Sequence, residues 1–533
     1  MVPWPWKPPP AGRLGSMLGR RNRQMTFDDI TWRQRIPKDS YWWRLHDWAV
    51  QHLDESMFAA LFHTHTGRPS VSPVHTFLAL LIQMEKGYSD REMEQESRFD
   101  DRVKLALLAG RDFEGIDAVT LCDHRRRFLQ HGIAHALLER TLTSARQAGL
   151  FSAERSQIVD SFLVHGGAAV QDTYTLIRKA VVRVLAVARM HELDATLAGV
   201  LKRTDYTQPG KPKIDWDDPE ARRRLLQELV DDALALVQAA RALSKLPEDL
   251  RAMVDLLERV ATQDIERDPD GTVRLKQGVA KDRVVSVVDP EMRHGHKTAS
   301  KRADGYKAHV MTGGEGHRLV TAVEVTPANA PDDAMLEAML DQQQQAGHRP
   351  EQVLADSAYF DPERTRRQAE QGTAIVAKAP PATNREGYFT KDAFALDAQA
   401  GTLTCPAGQV AVFDPARLAR HKPVLVRFSS AVCGACPLKA RCTSAAARRV
   451  TLHPQEVELR AARSYQKTEA FQAVYRLRCH VERVVRMLQD HGARKARFWG
   501  RLKVRFQLLL VAINHNIKEV MSPRPPWGEV CRG

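Results

Sequence analysis

The sequence predicts an α/β protein, a mixed sheet with helices packed on it, preceded and followed by long helical segments. Three observations predict it. Short β-rich runs at 157–164, 283–288, 306–312, 318–325, 352–356 and 373–377 recur through the middle of the chain. A helix-patterned stretch at 332–345 separates two of these runs, so the order is strands, helix, strand, helix, strand, which implies a mixed sheet. Apolar residues at helical spacing fill most of 28–149 and 175–266, and the last 60 residues.

Taken in order, residues 1–24 hold five prolines, five Lys/Arg and no acidic residue, which reads as a basic arm extending to 27 and expected to be disordered. The same composition also fits sequence upstream of a start at Met25. Residues 28–150 form a helical N-terminal domain. In it, 73–93 is apolar at helical spacing, Ser89-Asp90-Arg91-Glu92 reads as a helix start, and a basic helix after an N-cap at Thr120 carries Arg125, Arg126 and Arg127. Short helices ending in a basic one suit a DNA reader of helix-turn-helix type; a dimerisation or packing domain with an exposed Arg cluster is the other reading. The sheet occupies 151–380 and 466–520, interrupted by a helical insertion at 175–266. Within it, Gly313-Gly-Glu-Gly316 between two alternating runs reads as a hairpin turn. Residues 381–465 form a small insertion with four of the seven cysteines and little regular pattern, 465–490 reads as one helix, and 521–533 is a tail.

Composition narrows the function. The chain has 533 residues, 43% of them apolar and 27% charged, which argues for a globular protein. Its longest apolar runs, 77–84 and 508–513, fall short of the roughly 18 residues that cross a bilayer, so no membrane association is expected. The opening Met1-Val-Pro-Trp-Pro-Trp-Lys is too proline-rich for a signal-peptide core. An odd, low cysteine count argues against a disulfide scaffold and for a cytoplasmic setting. The net charge of +14 favours a polyanionic partner, nucleic acid before membrane. Ten Lys/Arg against two acidic residues between Arg476 and Arg505 make the densest basic stretch.

Three carboxylates stand where such a sheet would present an active site: Asp160 in the first strand, Asp356 at the end of a later one, and Glu482 in the basic C-terminal region. Such a cluster suits two Mg²⁺ or Mn²⁺ ions, which keep several waters and use few protein oxygens. Two metals activate the attacking oxygen and stabilise the leaving oxygen of a phosphodiester. If 475–489 is one helix, Tyr475, Arg478, Glu482 and Gln489 share a face, within about 60° at roughly 100° per residue. An Arg there suits bidentate phosphate contact and a Tyr suits base or backbone contact. Asp172 is a rival first carboxylate; Asp160 is preferred because it lies within the apolar strand.

The motif Tyr475-x2-Arg478-x3-Glu482 resembles the Y-x2-R-x3-E-x6-K signature of the DDE transposases of bacterial insertion sequences. Arg494-x2-Arg497-Phe-Trp-Gly500 and Asn514-His-Asn516 are similar to that family's closing segment. Val159-Asp-Ser161, Asp304-Gly-Tyr-Lys-Ala-His-Val310 and Val353-Leu-Ala-Asp-Ser-Ala-Tyr359 resemble its strand motifs. The resemblance implies an RNase H-like catalytic domain with Asp160, Asp356 and Glu482 as metal ligands. It further implies DNA contacts from Tyr475 and Arg478, and Gln489, Lys307, Arg494, Arg497 and the Arg125, Arg126, Arg127 cluster are expected to contribute. One departure is Gln489, an amide where the signature ends in Lys. The implied partner is double-stranded DNA, both the element's ends and its target, bound by a homodimer in the nucleoid. The implied activity is cleavage followed by strand transfer. A non-catalytic DNA-binding protein, including a decayed transposase, and a nuclease on the same fold are the alternatives.

The cysteines form a second constellation: Cys405-Pro-Ala-Gly, Cys433-x2-Cys436-Pro and Cys442. Four thiolates suffice for one structural Zn²⁺. Reduced thiols and redox chemistry are the other readings. His294 and His296, in a polar basic loop, read as a solvated loop before a phosphate contact.

Overall fold

The apolar run around Asp160 forms β1 (Ser156–His165), whose middle is buried on both faces, as a strand with neighbours on each side and helices above and below must be. The computed structural model describes residues 18–521 except 23, 25, 63–68, 151–155, 297–301, 314–317, 348, 386 and 421. Most of the expected arm, the tail from 522 and the tip of the 313–316 turn therefore lie outside the described residues. Where the arm is described, Leu18 is buried and the Arg21 guanidinium meets Glu55 at 2.6 Å.

After β1 come a small hairpin, β2 (Ile265–Arg267) and β3 (Val273–Leu275), and then β4 (Arg293–His296), β5 (Arg302–Gly313), β6 (Val320–Pro327), β7 (Gln352–Leu354) and β8 (Ala374–Val376). In the six-stranded sheet β4 and β6 lie end to end along one edge of β5, and the order continues β5, β1, β7, β8. β5 runs antiparallel to β4, β6 and β1, whereas β1, β7 and β8 are mutually parallel. Gly305 stands where β5 crosses the end of β1. A Cβ there would meet the Val164 carbonyl oxygen at 2.3 Å and the Gly166 nitrogen at 2.4 Å, so no larger residue fits between Asp304 and Tyr306.

Side chains alternate across a strand, and β1 divides its residues between two cores accordingly. Ile158, Phe162 and Val164 join a core shared with the N-terminal helices and the C-terminal helix Arg501–Met521. Val159 packs on the other face with Met311, Val353 and the helix Leu336–Gln345. The helical insertion, built on Thr173–Met190, Pro219–Arg241 and Glu248–Gln263, has its own apolar core.

Several elements differ from expectation. The run 73–93 is two helices, because Gly87 closes Pro73–Lys86 in a left-handed cap (φ 76°); the next, Asp90–Phe99, opens with the Ser89/Glu92 capping box. The basic helix starts at Ala118, capped by the Asp117 carboxylate, which accepts from the Thr120 N–H at 2.8 Å. Residues 283–288 form no strand: the Val284 and Val287 N–H groups donate to the side chains of Gln263 and Gln171. The segment 381–465 is more regular than its pattern suggests. It holds β9 (Ala395–Asp397), β10 (Thr402–Thr404) and β11 (Val410–Val412) in one small sheet, and β12 (Val424–Arg427) with β13 (Arg449–Leu452) in another, around Phe394, Leu403, Val426 and Leu452. Its strands are too short for alternation to register. A helix Glu456–Tyr465 ends where the single helix expected over 465–490 should begin, and that span is instead Glu469–Tyr475 with Thr468 as N-cap, a 3-10 turn Arg476–Arg478, Cys479–Leu488 and a π turn Gln489–Ala493.

The C-terminal helix carries buried amides that tie these parts together. Asn514 donates to the Leu81 carbonyl at 2.6 Å and accepts from the Tyr41 hydroxyl at 3.1 Å. Asn516 accepts from the Val320 N–H at 2.8 Å and donates to the Val320 carbonyl at 2.8 Å and to Thr141 at 2.9 Å. Replacing Asn516 with Leu strips both backbone groups of Val320 of these bonds in a dry site. The variant should lose about 2–5 kcal/mol of stability, read as a lowered urea midpoint with an unchanged slope.

Candidate functional site: three carboxylates around one guanidinium

The register of β1 sets the first two carboxylates side by side. Ile158 pairs with Leu354 in the parallel ladder, and Asp160 and Asp356 each follow two residues later, on the same face by the period of two. Asp160 remains inside the strand, opposite Val310 of β5, while Asp356 has just left β7 and caps the turn Ser357–Tyr359. The third carboxylate arrives from above. In Cys479–Leu488, Val481, Val484 and Leu488 face the shared core, which leaves Glu482 on the open side.

Arg478 joins the three. Its Nη2 is 3.6 Å from Asp160 Oδ1 and 3.4 Å from Asp356 Oδ2, and its Nη1 is 3.6 Å from Glu482 Oε1. Exposure rises across the cluster: the side chain of Asp160 is 8% exposed, Arg478 16%, Asp356 37% and Glu482 64%. The site is therefore a funnel with its deepest carboxylate in the strand. Ser161 N–H donates to Asp160 Oδ1 at 2.8 Å. Tyr475 closes one side, stacked on Phe471 with ring centroids 5.1 Å apart and with Lys378 Nζ 5.0 Å from its ring centre. Burial pushes the Tyr475 phenol up; Arg478 pulls it back, and Asp356 and Asp160 push it further up.

A neighbouring polar group on the opposite face of β1 has no clear signal in the sequence. Ser161 Oγ donates to Asp332 at 2.7 Å, and Lys307 Nζ lies 2.9 Å from the same carboxylate oxygen. Burial works against the Asp332 anion, but Ser161 and Lys307 outweigh it and hold the carboxyl below its usual range. His309 Nε2 meets Thr326 Oγ1 at 2.9 Å and Nδ1 meets the Tyr359 hydroxyl at 3.3 Å. The Pro331-Asp332 pair looks like an ordinary helix start, and nothing in one sequence ties it to β1.

The remaining expected contacts divide. Arg494 is exposed and pairs with Asp490 at 3.4 Å, Gln489 lies half-buried in the π turn, and Arg126 is exposed beside Asp123. Arg497 turns inward to the carbonyls of Gln83, at 2.9 Å, and Tyr88. Arg125 bonds Asp90 and Gln83 and lies over Phe498, and Arg127 reaches the Leu61 carbonyl. These three guanidiniums hold the N-terminal helices together and to the C-terminal segment, where the sequence had pointed to phosphate. Lys307 is likewise engaged by Asp332. Asp172, the rival carboxylate, caps Thr173–Met190 and pairs with Lys211 at 2.9 Å.

Cys405, Cys433, Cys436 and Cys442 are unbridged and gather on one side of the small β module. Burial pushes the Cys442 thiol up; Arg448 pulls it down, and Cys433, Cys405 and Cys436 nearby push it further up. Among the described residues, however, no group of three or more His, Cys, Asp or Glu side chains is disposed to hold a metal ion. The zinc site expected from cysteine spacing is thus unsupported. For the carboxylates the physical reason is plain: the donor set, all hard oxygen, fits Mg²⁺ or Mn²⁺, but the Arg478 guanidinium stands among the three groups.

Three carboxylates from separated parts of the chain therefore meet one guanidinium on the mixed sheet, beside a basic helical region. Residues 404–521 match the family model described as Transposase DDE domain, and residues 30–127 match the one described as Transposase domain (DUF772). The two matches, in this order along one chain, support its assignment to the DDE transposases of insertion sequences. The first contains Tyr475, Arg478 and Glu482 and the second contains Arg125, Arg126 and Arg127; Asp160 and Asp356 lie outside both. No curated protein and no solved structure matches the chain. No helix of the described residues is long and apolar enough to cross a membrane.

His309 gives the site a pH signature. Burial, helped by Lys307 and opposed by Asp332, pushes its imidazole down to about 4. The unfolded chain takes up this proton near pH 6.5, so stability falls as pH drops from 6.5 towards 4. The loss should reach on the order of 3 kcal/mol for this one group. Urea midpoints at pH 7 and pH 4.5 should separate more in the wild type than in His309→Gln.

Proposed function

We propose that the protein is the transposase of an insertion sequence: it binds the element's ends, cleaves there in a metal-dependent reaction and joins the freed 3′-hydroxyl to target DNA. The observation that carries this reading is the convergence of Asp160, Asp356 and Glu482 on one guanidinium from three separated parts of the chain. The strand order β5, β1, β7, β8 with β6 outermost, antiparallel then parallel, supports an RNase H-like core. Members of the matched family use divalent metal ions, and two such ions, when bound, would supply positive charge at the attacking and leaving oxygens of the phosphodiester.

The chain's own residues do the rest. Asp160 and Asp356 each stand two residues beyond the last pair of the parallel ladder, so backbone places them side by side; Glu482 completes the set from a helix packed on the shared core through Val481, Val484 and Leu488. Tyr475 presents a phenol at the rim, where it can meet a terminal base or the backbone beside the cut. Arg486, Arg494, Lys495 and Lys503, all exposed, give the basic rim that meets phosphate, with Gln489 as a neutral contact. Arg126 extends the basic surface onto the N-terminal domain. Two copies, one per end, would bring both ends to one target.

Incubation with DNA carrying the element's flanking sequence and Mg²⁺, read for nicks and for joined products, tests the reading. Nicks without joining favour a nuclease; binding without nicks favours a non-catalytic binder. Asp160→Ala, Asp356→Ala and Glu482→Ala should each abolish cleavage while leaving end binding nearly unchanged, and a variant that cuts at the wild-type rate removes that residue from the site. End binding should weaken steeply with salt, with about −0.9 in the slope of log affinity against log salt for each phosphate neutralised.

A further inference from the structure

We propose that Arg478 is the site's resident counter-cation: it balances Asp160, Asp356 and Glu482 until divalent ions bind, is displaced by them, and then turns to a DNA phosphate. The proposal rests on the carboxylate metal site argued above. Its geometry is that of a shared, loosely held cation. The three contacts are 3.4–3.6 Å, well beyond the roughly 2.7–2.9 Å of an optimised charge-assisted bond, and only the one to Asp356 has hydrogen-bond geometry. Nε is buried without a hydrogen-bond partner, so the side chain regains a bond to water or phosphate by leaving.

The exchange needs only a change of rotamer at Arg478, which leaves the backbone of the turn Arg476–Arg478 where it is. The charges facing it are the three carboxylates; Tyr475 and Tyr359 beside them have phenols pushed up by burial and are neutral. Competition for the same oxygens favours the exchange: a carboxylate oxygen turned to the guanidinium is one that an incoming ion must win, and the two cations repel each other at that range. One residue thereby couples metal binding to DNA binding, because the same guanidinium is withheld from phosphate until ions arrive.

Mn²⁺ binding to the full chain, measured by electron paramagnetic resonance, tests the first half. Arg478→Gln should bind Mn²⁺ roughly tenfold tighter than wild type, the size expected for removing the competition of three partly exposed ion pairs. Metal-free Arg478→Gln should melt below wild type and regain more from Mn²⁺ than wild type does, which separates the effect from misfolding. The second half is read on end DNA with Ca²⁺ and with no divalent ion. Ca²⁺ should steepen the wild-type salt slope by about 0.9, one phosphate contact, and leave that of Arg478→Gln unchanged. Equal Mn²⁺ affinity in the two proteins, or a Ca²⁺ response in both, overturns the counter-cation role and leaves the metal site standing. Mn²⁺ binding that is absent from both, or that survives Asp160→Asn unchanged, overturns the metal-site reading and the proposal with it.

Discussion

Three carboxylates brought within reach of one another repel, and burial of one of them in a strand makes the repulsion costlier because less water screens it. The sheet cannot avoid this, since the parallel pairing of Ile158 with Leu354 puts Asp160 and Asp356 next to each other whatever their charge. The positive charge of Arg478 offsets it. Two residues of the same short segment thus answer each other: Glu482 adds to the negative field of the sheet, and Arg478, four residues earlier, neutralises part of it. The remaining net charge of the four side chains is negative and opens towards solvent through Glu482, the most exposed of them.

The segment carrying this pair is held in place by a helix that has little free surface of its own. Arg501–Met521 is buried along most of its length from Val504 to Ile517, between the sheet and the N-terminal helices. Its amides at Asn514 and Asn516 bond groups on both sides, and Lys518 meets Glu85 at 2.7 Å. Upstream, Arg497 bonds carbonyls at both ends of the turn after Pro73–Lys86. The region 30–127 and the part of 404–521 from Phe471 onward therefore share one continuous core, so the N-terminal region is a structural partner of the sheet.

The legibility of these features in the sequence follows their locality. β1, the β5–β6 hairpin, the helical character of the insertion and the helix start at Ser89 were readable because each is specified by neighbours a few residues away. The helix breaks at 466–468 and 476–478 were not, because Tyr475, Arg478 and Glu482 look equally helical whether or not a 3-10 turn intervenes. The inward turn of Arg125, Arg127 and Arg497 was also invisible: a basic cluster reads as surface until distant carbonyls and Asp90 are folded against it. Asp160, Asp356 and Glu482 could be grouped from their places on the expected strands and helix, and the family resemblance implied the same set, but nothing in their spacing measures a distance in space, and Arg478 standing among them was not foreseen. The Cys-rich segment hid its five short strands for the opposite reason, because each is only three or four residues long and too brief to establish a period.

That segment matters to the site because the chain passes through it between Asp356 and Glu482. It returns to the sheet through Glu456–Tyr465, whose first residue, Glu456, is fully buried. Burial alone would raise this carboxyl, but Lys391 at 2.5 Å, the His453 N–H, and Arg460 outweigh it and hold it below its usual range. Arg463 adds contacts to Glu456 and Asp392 and donates to the Pro380 carbonyl at 2.9 Å. A buried ionic group of this kind gives little net stability, since desolvation consumes most of its Coulomb gain. What it imposes is geometry: alternative dockings of Glu456–Tyr465 would leave a bare carboxylate in an apolar setting, which is strongly unfavourable. Pro380 follows closely on β8, and Lys391 and Asp392 stand at the start of the module, so the same cluster clasps the outgoing and returning chain. The helix after it leads through Thr468 and Tyr475 to Arg478. The hydrogen bonds and charge around Glu456 thus fix where the returning chain meets the sheet, and the shared core takes over from Phe471 onward, up to the turn that carries Arg478 and the helix that carries Glu482.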